Sequence, residues 1–231
     1  MPRSTSRLAS QYAITHSLFR HDYDIISANG KHSYHVDNSH LTPGKPDLTF
    51  HEGDAKGPIA GVCKYRHFSS DAIIGLGDPT HPHRMSWEHF TREGLLSCRY
   101  SFRVKLGGGR ARTFTWRYSN QMSCSSGDLS SRSSSTSPSP SQSPSRSSSR
   151  SSSRSRSSSS STNPTEKLEL VHEATQEVIA ELSSGTTFFR KAGQLNIYKS
   201  YCTQFDLLVL VTGLALREKL RRTRSNSGTA Q

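Results

Sequence analysis

Apolar and polar residues alternate in short runs along most of the chain, and glycine, proline or aspartate residues separate the runs. Alternation with a period of two is typical of a β-strand that buries one face and exposes the other. The clearest example is SCRYSFRVKLGGGRARTFTWRYS, in which two alternating arms flank three glycines. Counted along the whole chain, runs of this kind predict about twelve short strands, roughly half of them before residue 80.

The register of this glycine-centred hairpin follows from its two apolar faces. Large apolar residues occupy even-numbered positions in both arms. A shift by one residue would turn one apolar face outward, so paired positions must sum to an even number. A three-residue loop at 107–109 meets this condition. The predicted cross-strand pairs are Leu106 with Arg110, Phe102 with Phe114 and Tyr100 with Trp116.

Three further hairpins are predicted from turn residues between β-prone runs. In DYDIISANGKHSYHVDN, Asn29-Gly30 is the pair favoured in a two-residue hairpin turn. A second hairpin is expected to turn near Glu173–Thr175, and a third at Ala192-Gly193.

The segment DLLVLVTGLALREKLRR near the C-terminus has a different pattern, because it is apolar on every face from Asp206 to about Leu216. Asp206 favours a helix N-terminus, and the cations after Leu216 favour a helix C-terminus. A helix that is apolar all round must be surrounded by lipid or by protein. About ten apolar residues span roughly 15 Å, half of what a bilayer needs, so a buried core helix is favoured over a membrane anchor.

Between residues 123 and 163 the chain consists mostly of serine, with interspersed arginine and Ser-Pro steps. Such a segment has almost nothing apolar to bury, so it is expected to be a disordered insertion between strands. The predicted organisation is a flexible N-terminus (1–12), a single barrel domain (13–222) that contains the insertion, and a flexible tail (223–231). The insertion could accept phosphate at Ser-Pro and Arg-Ser steps and reverse its charge. The candidate phosphosites are Ser137, Ser139, Ser143, Ser147 and Ser151.

The formal net charge is +12, from 30 Lys+Arg and 18 Asp+Glu. Most of the excess lies in the serine tract and at the two ends, so the predicted folded body is nearly neutral. The basic pI therefore does not by itself indicate a nucleic-acid-binding protein, and no RNA-recognition motif accompanies the tract. Two interpretations of the tract stay open: an Arg/Ser-rich segment that binds protein partners or RNA, and a tolerated low-complexity loop.

Candidate chemistry along the chain is sparse. The four cysteines, Cys63, Cys98, Cys124 and Cys202, are widely spaced, which predicts neither a disulfide scaffold nor a zinc-thiolate site. The eleven histidines fit loop and surface positions better than a metal site. No hydrolase, metalloprotease or phosphate-loop motif occurs, so no catalytic, cofactor or metal residues are predicted. An intracellular protein of the cytoplasm or nucleus without a signal peptide is expected, and a mitochondrial presequence is a weaker alternative.

Several segments together resemble the tubby C-terminal-like superfamily, which includes tubby domains, plant LURP-one-related proteins and phospholipid scramblases. The likeness is closest to tubby C-terminal-like proteins of filamentous fungi. It implies a mainly β fold, in which a closed antiparallel barrel of about twelve strands surrounds a hydrophobic C-terminal helix. The segments that carry it are GKPDLTFHEG (44–53), GLGDP (75–79), Trp87-Glu88, YSFRV (100–104), FTWRYS (114–119) and LLVLVTGLALREKLRR (207–222).

The resemblance implies a non-enzymatic binding or scaffold module that associates with anionic membrane lipids such as phosphoinositides, without a cofactor. A scramblase-like membrane protein is an alternative, although the acidic calcium segment and cysteine-rich motif of scramblases are not found here. Outward-facing cations on strands can also serve only to keep a sheet soluble. The candidate lipid-binding residues are Arg99, Arg103, Lys105, Arg117, Arg217, Arg221 and Arg222.

Overall fold

The structure is a computed structural model that describes residues 8–17, 21–39, 42–66, 69–94, 98–107, 109–119, 167–185 and 191–227. These ranges contain twelve strands, a 3-10 helix at Pro82–Arg84 and one α-helix, α1, at Thr203–Ser227. The strands are β1 (Ser10–His16), β2 (Tyr23–Ser27), β3 (Ser33–Asn38), β4 (Leu48–Glu52), β5 (Ile59–Tyr65), β6 (Ala72–Leu76), β7 (Ser86–Arg92), β8 (Tyr100–Lys105), β9 (Ala111–Tyr118), β10 (Lys167–His172), β11 (Glu177–Ser184) and β12 (Lys191–Ile197).

The strands form one closed barrel in which each strand pairs with its neighbours in sequence, and β1 pairs with β12. All the pairs are antiparallel. Closure removes most of the free sheet edges that would otherwise recruit other chains. The predicted mainly β fold, a closed barrel of about twelve strands, is confirmed.

The register predicted for the glycine-centred hairpin is also confirmed. In the pair β8–β9, Tyr100 lies opposite Trp116, and Phe102 lies opposite Phe114. The rings of Phe102 and Phe114 stack with centroids 5.6 Å apart. Gly107 has a positive φ of 58°, which explains why a glycine begins the turn.

Helix α1 is enclosed by the barrel. Every residue from Leu208 to Leu216 is buried. Consecutive helical residues point in all directions, so this run must be surrounded on every side. It forms one apolar cluster with inward residues of the strands, among them Ile25, Phe50 and Trp116. The prediction of a central hydrophobic helix is therefore confirmed.

One polar contact attaches α1 to β9 inside this cluster. The indole N–H of Trp116 donates to Oγ1 of Thr212 at 3.0 Å, and the Thr212 hydroxyl donates to the Leu208 carbonyl at 2.8 Å. Both buried polar groups are thereby satisfied. A Cβ at Gly213 would lie 3.1 Å from the Trp116 ring, so glycine allows the helix to approach β9 closely here.

Several predicted boundaries differ from the observed ones. Strand β1 begins at Ser10, inside the segment 1–12 that was expected to be flexible. Helix α1 runs from Thr203 to Ser227, so it continues past the predicted domain end at residue 222 and into the predicted tail 223–231. The turns just after Leu216 remain in contact with the barrel through buried Glu218 and half-buried Leu220, whereas 223–225 are exposed.

Two of the predicted turns are wrong in detail. The β2–β3 register is centred on Asn29-Gly30, but the last pair is Ile26 with Ser33, so the connection is longer than two residues. Asn29 Oδ1 instead accepts the Lys31 amide, and Gly30 has a φ of 67°. No turn occurs at Ala192-Gly193, because β12 continues through both positions and pairs with β1 and β11.

The predicted insertion at 123–163 and its five candidate phosphosites lie outside the described residues. Among the helices that are described, none is long and apolar enough to cross a membrane. Among the described cysteines, Cys98 is disulfide-bonded, although its wide spacing from the others gave no indication of this, whereas Cys63 and Cys202 are free thiols.

Candidate functional site

The barrel is joined only weakly between β7 and β8. These strands pair at two positions, Thr91 with Ser101 and Arg92 with Tyr100. Beyond them, β7 stays paired with β6 as far as Ser86, and β8 stays paired with β9 as far as Lys105. The two strands therefore diverge towards the end of the barrel where α1 begins. We call this divergence the β7–β8 gap.

The backbone groups that face this gap follow from the last hydrogen bond before it. The Glu93 amide donates to the Arg99 carbonyl at 2.9 Å, so odd-numbered residues of both strands point towards each other. Backbone groups alternate in direction along a strand. The N–H and C=O groups of Trp87 and His89 on β7, and of Arg103 and Lys105 on β8, consequently face the gap without a ladder partner.

A cleft of about 680 Å³ opens at the β7–β8 gap. Its floor is apolar and includes Val104 on β8 and Phe205 and Leu208 at the start of α1. Glu88, the inward-facing residue between Trp87 and His89, also lines the cleft, and burial raises the pKa of its carboxyl. The free thiol of Cys202 is exposed and lies in the same lining.

Four cations surround the tip of the β8–β9 hairpin, which borders this cleft. Arg103, Lys105, Arg110 and Arg112 are all exposed. Within the described part of the chain, none of them forms an ion pair with a carboxylate. Arg112 lies over the Tyr201 ring, with its guanidinium carbon 5.1 Å from the ring centroid. This group, called the hairpin-tip cations below, is an exposed positive surface next to an apolar cleft.

Two of the predicted lipid-binding residues are paired within the sheet instead. Arg99 forms an ion pair with Glu93, with Nε and Oε2 3.2 Å apart. Arg117 lies 3.8 Å from Glu169 and is half-buried. Both belong to the end of the hairpin away from its tip. Six residues of strand separate Arg99 from Lys105, which corresponds to about 20 Å.

The remaining predicted cations, Arg217, Arg221 and Arg222, lie on the last turns of α1, at the opposite end of the barrel. Arg221 binds the buried Glu218 carboxylate through two nitrogens, both at 2.7 Å. Arg222 donates to Glu218 at 2.8 Å and to Asp47 at 3.1 Å. The predicted surface is thus divided between the two ends of the barrel, and Arg221 and Arg222 are bound to internal carboxylates.

Glu218 is the centre of this second cluster. It is fully buried, and it also accepts hydrogen bonds from Tyr23 at 2.5 Å and from Asn38 at 3.0 Å. Burial alone would raise the pKa of Glu218. The hydrogen bonds from Arg221, Tyr23, Arg222 and Asn38 outweigh burial and lower the pKa to about 2. The carboxylate therefore stays ionised in the folded protein and attaches α1 to β2 and β3.

One group in the described part of the chain could hold a metal ion, although the sequence predicts no metal site. Ligand atoms of Asp22, His35 and Asp37 lie within 4.8 Å of one another. The ring nitrogens of His35 are already engaged, by Asp24 at 2.8 Å and by Asp37 at 3.3 Å. Although burial lowers the pKa of His35, these carboxylates raise it overall. The geometry supports a cross-strand ion pair more directly than a metal site.

Sequence reasoning missed Arg110, Arg112 and Glu88 as site residues and Glu218 as a structural acid. Glu218 had a visible signal, since arginines follow it at i+3 and i+4 on a helix. The ion pair between Asp24 and His35 also had a visible signal in the sequence, because a register centred on Asn29-Gly30 places these two residues directly opposite each other. Nothing in the sequence marks the β7–β8 gap.

Comparison with known proteins gives no assignment, since no family model, curated protein or solved structure matches the chain.

Proposed function

We propose that this chain is a non-enzymatic binding module of the tubby C-terminal-like type that associates with anionic membrane surfaces. The architecture supports this proposal, because a closed barrel of twelve strands around an apolar C-terminal helix is what the sequence resemblance implies. The surface that would contact lipid is the tip of the β8–β9 hairpin.

The observation that carries the proposal is the set of hairpin-tip cations. Arg103, Lys105, Arg110 and Arg112 lie on one hairpin end without an acidic partner among the described residues. Each basic residue near an anionic bilayer contributes about 1 kcal/mol, and arginine binds phosphate with two parallel hydrogen bonds. The turn between them contains Gly107 and Gly109, both exposed, so no large side chain separates the cations from a headgroup.

The cations on α1 are poorly placed for the same task. Arg222 is only 15% exposed and, like Arg221, is bound to Glu218. Releasing either arginine to a headgroup would leave a buried carboxylate without its partner. The proposed lipid-binding end is therefore the one at the N-terminus of α1.

Sedimentation with vesicles of phosphatidylcholine, with and without a few per cent of a phosphoinositide, tests the proposal. The wild type should sediment with the anionic vesicles, less so as salt rises. The double variant Arg110→Glu and Arg112→Glu should weaken binding by at least about tenfold, since four charge units change. This variant keeps Arg103 and Lys105, the two hairpin-tip cations that line the cleft.

The matched control is Lys45→Glu with Arg66→Glu, which makes the same charge change at exposed positions near the C-terminal end of α1. It should bind like the wild type. Equal loss in both double variants would indicate a response to net charge alone, and absence of wild-type binding at low salt would refute the proposal.

A further inference from the structure

We propose that the β7–β8 gap accepts an extended segment of a partner protein, which adds as a strand between β7 and β8. The segment would alternate acidic and apolar residues. This protein-binding function goes beyond membrane association. It uses the backbone groups of the gap and the cleft floor, and it shares only Arg103 and Lys105 with the hairpin-tip cations.

The backbone groups that face the gap favour a peptide as the ligand. Trp87 and His89 on one side, and Arg103 and Lys105 on the other, direct N–H and C=O groups into the same space. Unpaired strand edges are templates for another strand, and strand addition is a common way to bind peptides. Here two edges face each other, so one peptide would gain hydrogen bonds on both of its sides.

The same groups disfavour an acyl chain as the occupant. A hydrocarbon in the gap would remove water from the backbone N–H and C=O groups without replacing its hydrogen bonds. Such burial of an unpaired polar group is unfavourable. Because β7 and β8 are antiparallel, an inserted strand would run antiparallel to one and parallel to the other, and both arrangements are ordinary sheet pairings.

The side chains around the gap indicate the sequence of the partner. Alternate residues of an inserted strand face opposite sides of the sheet. One set would contact the floor formed by Val104, Phe205 and Leu208, which favours apolar residues. The other set would lie beside the exposed cations Arg103 and Lys105, which favours acidic residues.

Glu88 fixes which set faces inward. Its carboxyl lines the cleft, and burial there disfavours the charged form and raises its pKa. A second carboxylate on the inner face would meet the same penalty for burying charge, so acidic residues are favoured only on the outer face. Residues 86–90 of β7 are paired with β6 but not with β8, so this side would accommodate a partner strand of about five residues, the usual strand length.

Cys202 provides a direct probe of occupancy. It is an exposed free thiol in the cleft lining, whereas the other described free thiol, Cys63, is buried and its pKa is raised by burial. The experiment measures the rate at which a maleimide alkylates Cys202 in the full chain, with a Cys202→Ser variant to identify the signal. The probe is a synthetic peptide of about seven residues that alternates glutamate and valine.

The glutamate–valine peptide should slow alkylation saturably. Arg103→Glu with Lys105→Glu should weaken its apparent affinity by at least about tenfold, whereas Lys45→Glu with Arg66→Glu should not. The Arg110→Glu and Arg112→Glu variant should retain most of the protection, even where it no longer binds vesicles. Peptide protection and vesicle binding are therefore measured separately, so failure of this proposal can be told apart from failure of membrane binding.

Two control probes decide the mode of binding. The same peptide with N-methylated backbone amides cannot donate to either strand, so it should give no protection, and a lysine–valine peptide should bind far more weakly. Equal protection by the N-methylated peptide would overturn strand addition. Protection by oleate but by neither acidic nor basic peptide would identify an acyl-chain cleft and overturn the proposal.

Discussion

At the scale of single residues, charge pairing decides which of the many cations are available to a ligand. Arg221 and Arg222 look like a basic tail in the sequence, but both donate to Glu218 inside the barrel end. Arg110 and Arg112 have no such carboxylate within the described residues and remain exposed. Local sequence charge is therefore a poor guide to surface charge where a buried acid lies within one helical turn.

Replacing Glu218 with glutamine tests the internal role of this cluster. The change removes the carboxylate but leaves the partly buried guanidinium groups, so it should lower the free energy of unfolding near neutral pH by about 3–5 kcal/mol. Urea unfolding measures this. The exposed pair of Glu177 with Lys199 gives a control, in which Glu177→Gln should change stability by less than about 1 kcal/mol.

The same variant should change the response to acid. The pKa of Glu218 is lowered from 4.5 to about 2 in the folded state, so its contribution is present above pH 4.5 and lost as pH falls towards 2. The stability difference between wild type and Glu218→Gln should therefore shrink across that interval. A difference independent of pH would contradict the assignment of an ionised, buried Glu218.

At the scale of elements, α1 forms the core of the barrel. The pattern that predicted it, apolar residues on all faces, is a property of one segment and needs no knowledge of its partners. Its true end could not be predicted in the same way, because the turns after Leu216 are held by residues distant in sequence, such as Asn38 and Asp47.

Leu210→Asp tests whether α1 is core or anchor. Leu210 is 1% exposed, and the new carboxylate would be buried among apolar side chains without a partner. The variant should lose its near-ultraviolet circular dichroism and its cooperative unfolding. Thr223→Asp, at an exposed site on the same helix, should stay folded. A folded Leu210→Asp protein that merely detached from membranes would instead support the anchor interpretation.

At the scale of the whole molecule, the barrel has two different ends. One end is closed by the charged cluster around Glu218, and the other has the hairpin-tip cations and the cleft. Alternation along the sequence predicted the strands and the Phe102–Phe114 register, because one-sided burial is imposed on each strand separately. It could not predict the gap, because β7 and β8 keep their alternation whether or not they pair with each other.

The most direct test of the account is amide hydrogen exchange at β7 and β8, resolved by residue with NMR. An open gap predicts an alternating pattern, in which odd-numbered amides such as His89 and Arg103 exchange quickly. The even-numbered amides of Phe90 and Phe102 should exchange slowly, because they are paired to β6 and β9. Uniformly slow exchange along both strands would show that β7 and β8 are paired throughout and would contradict the gap.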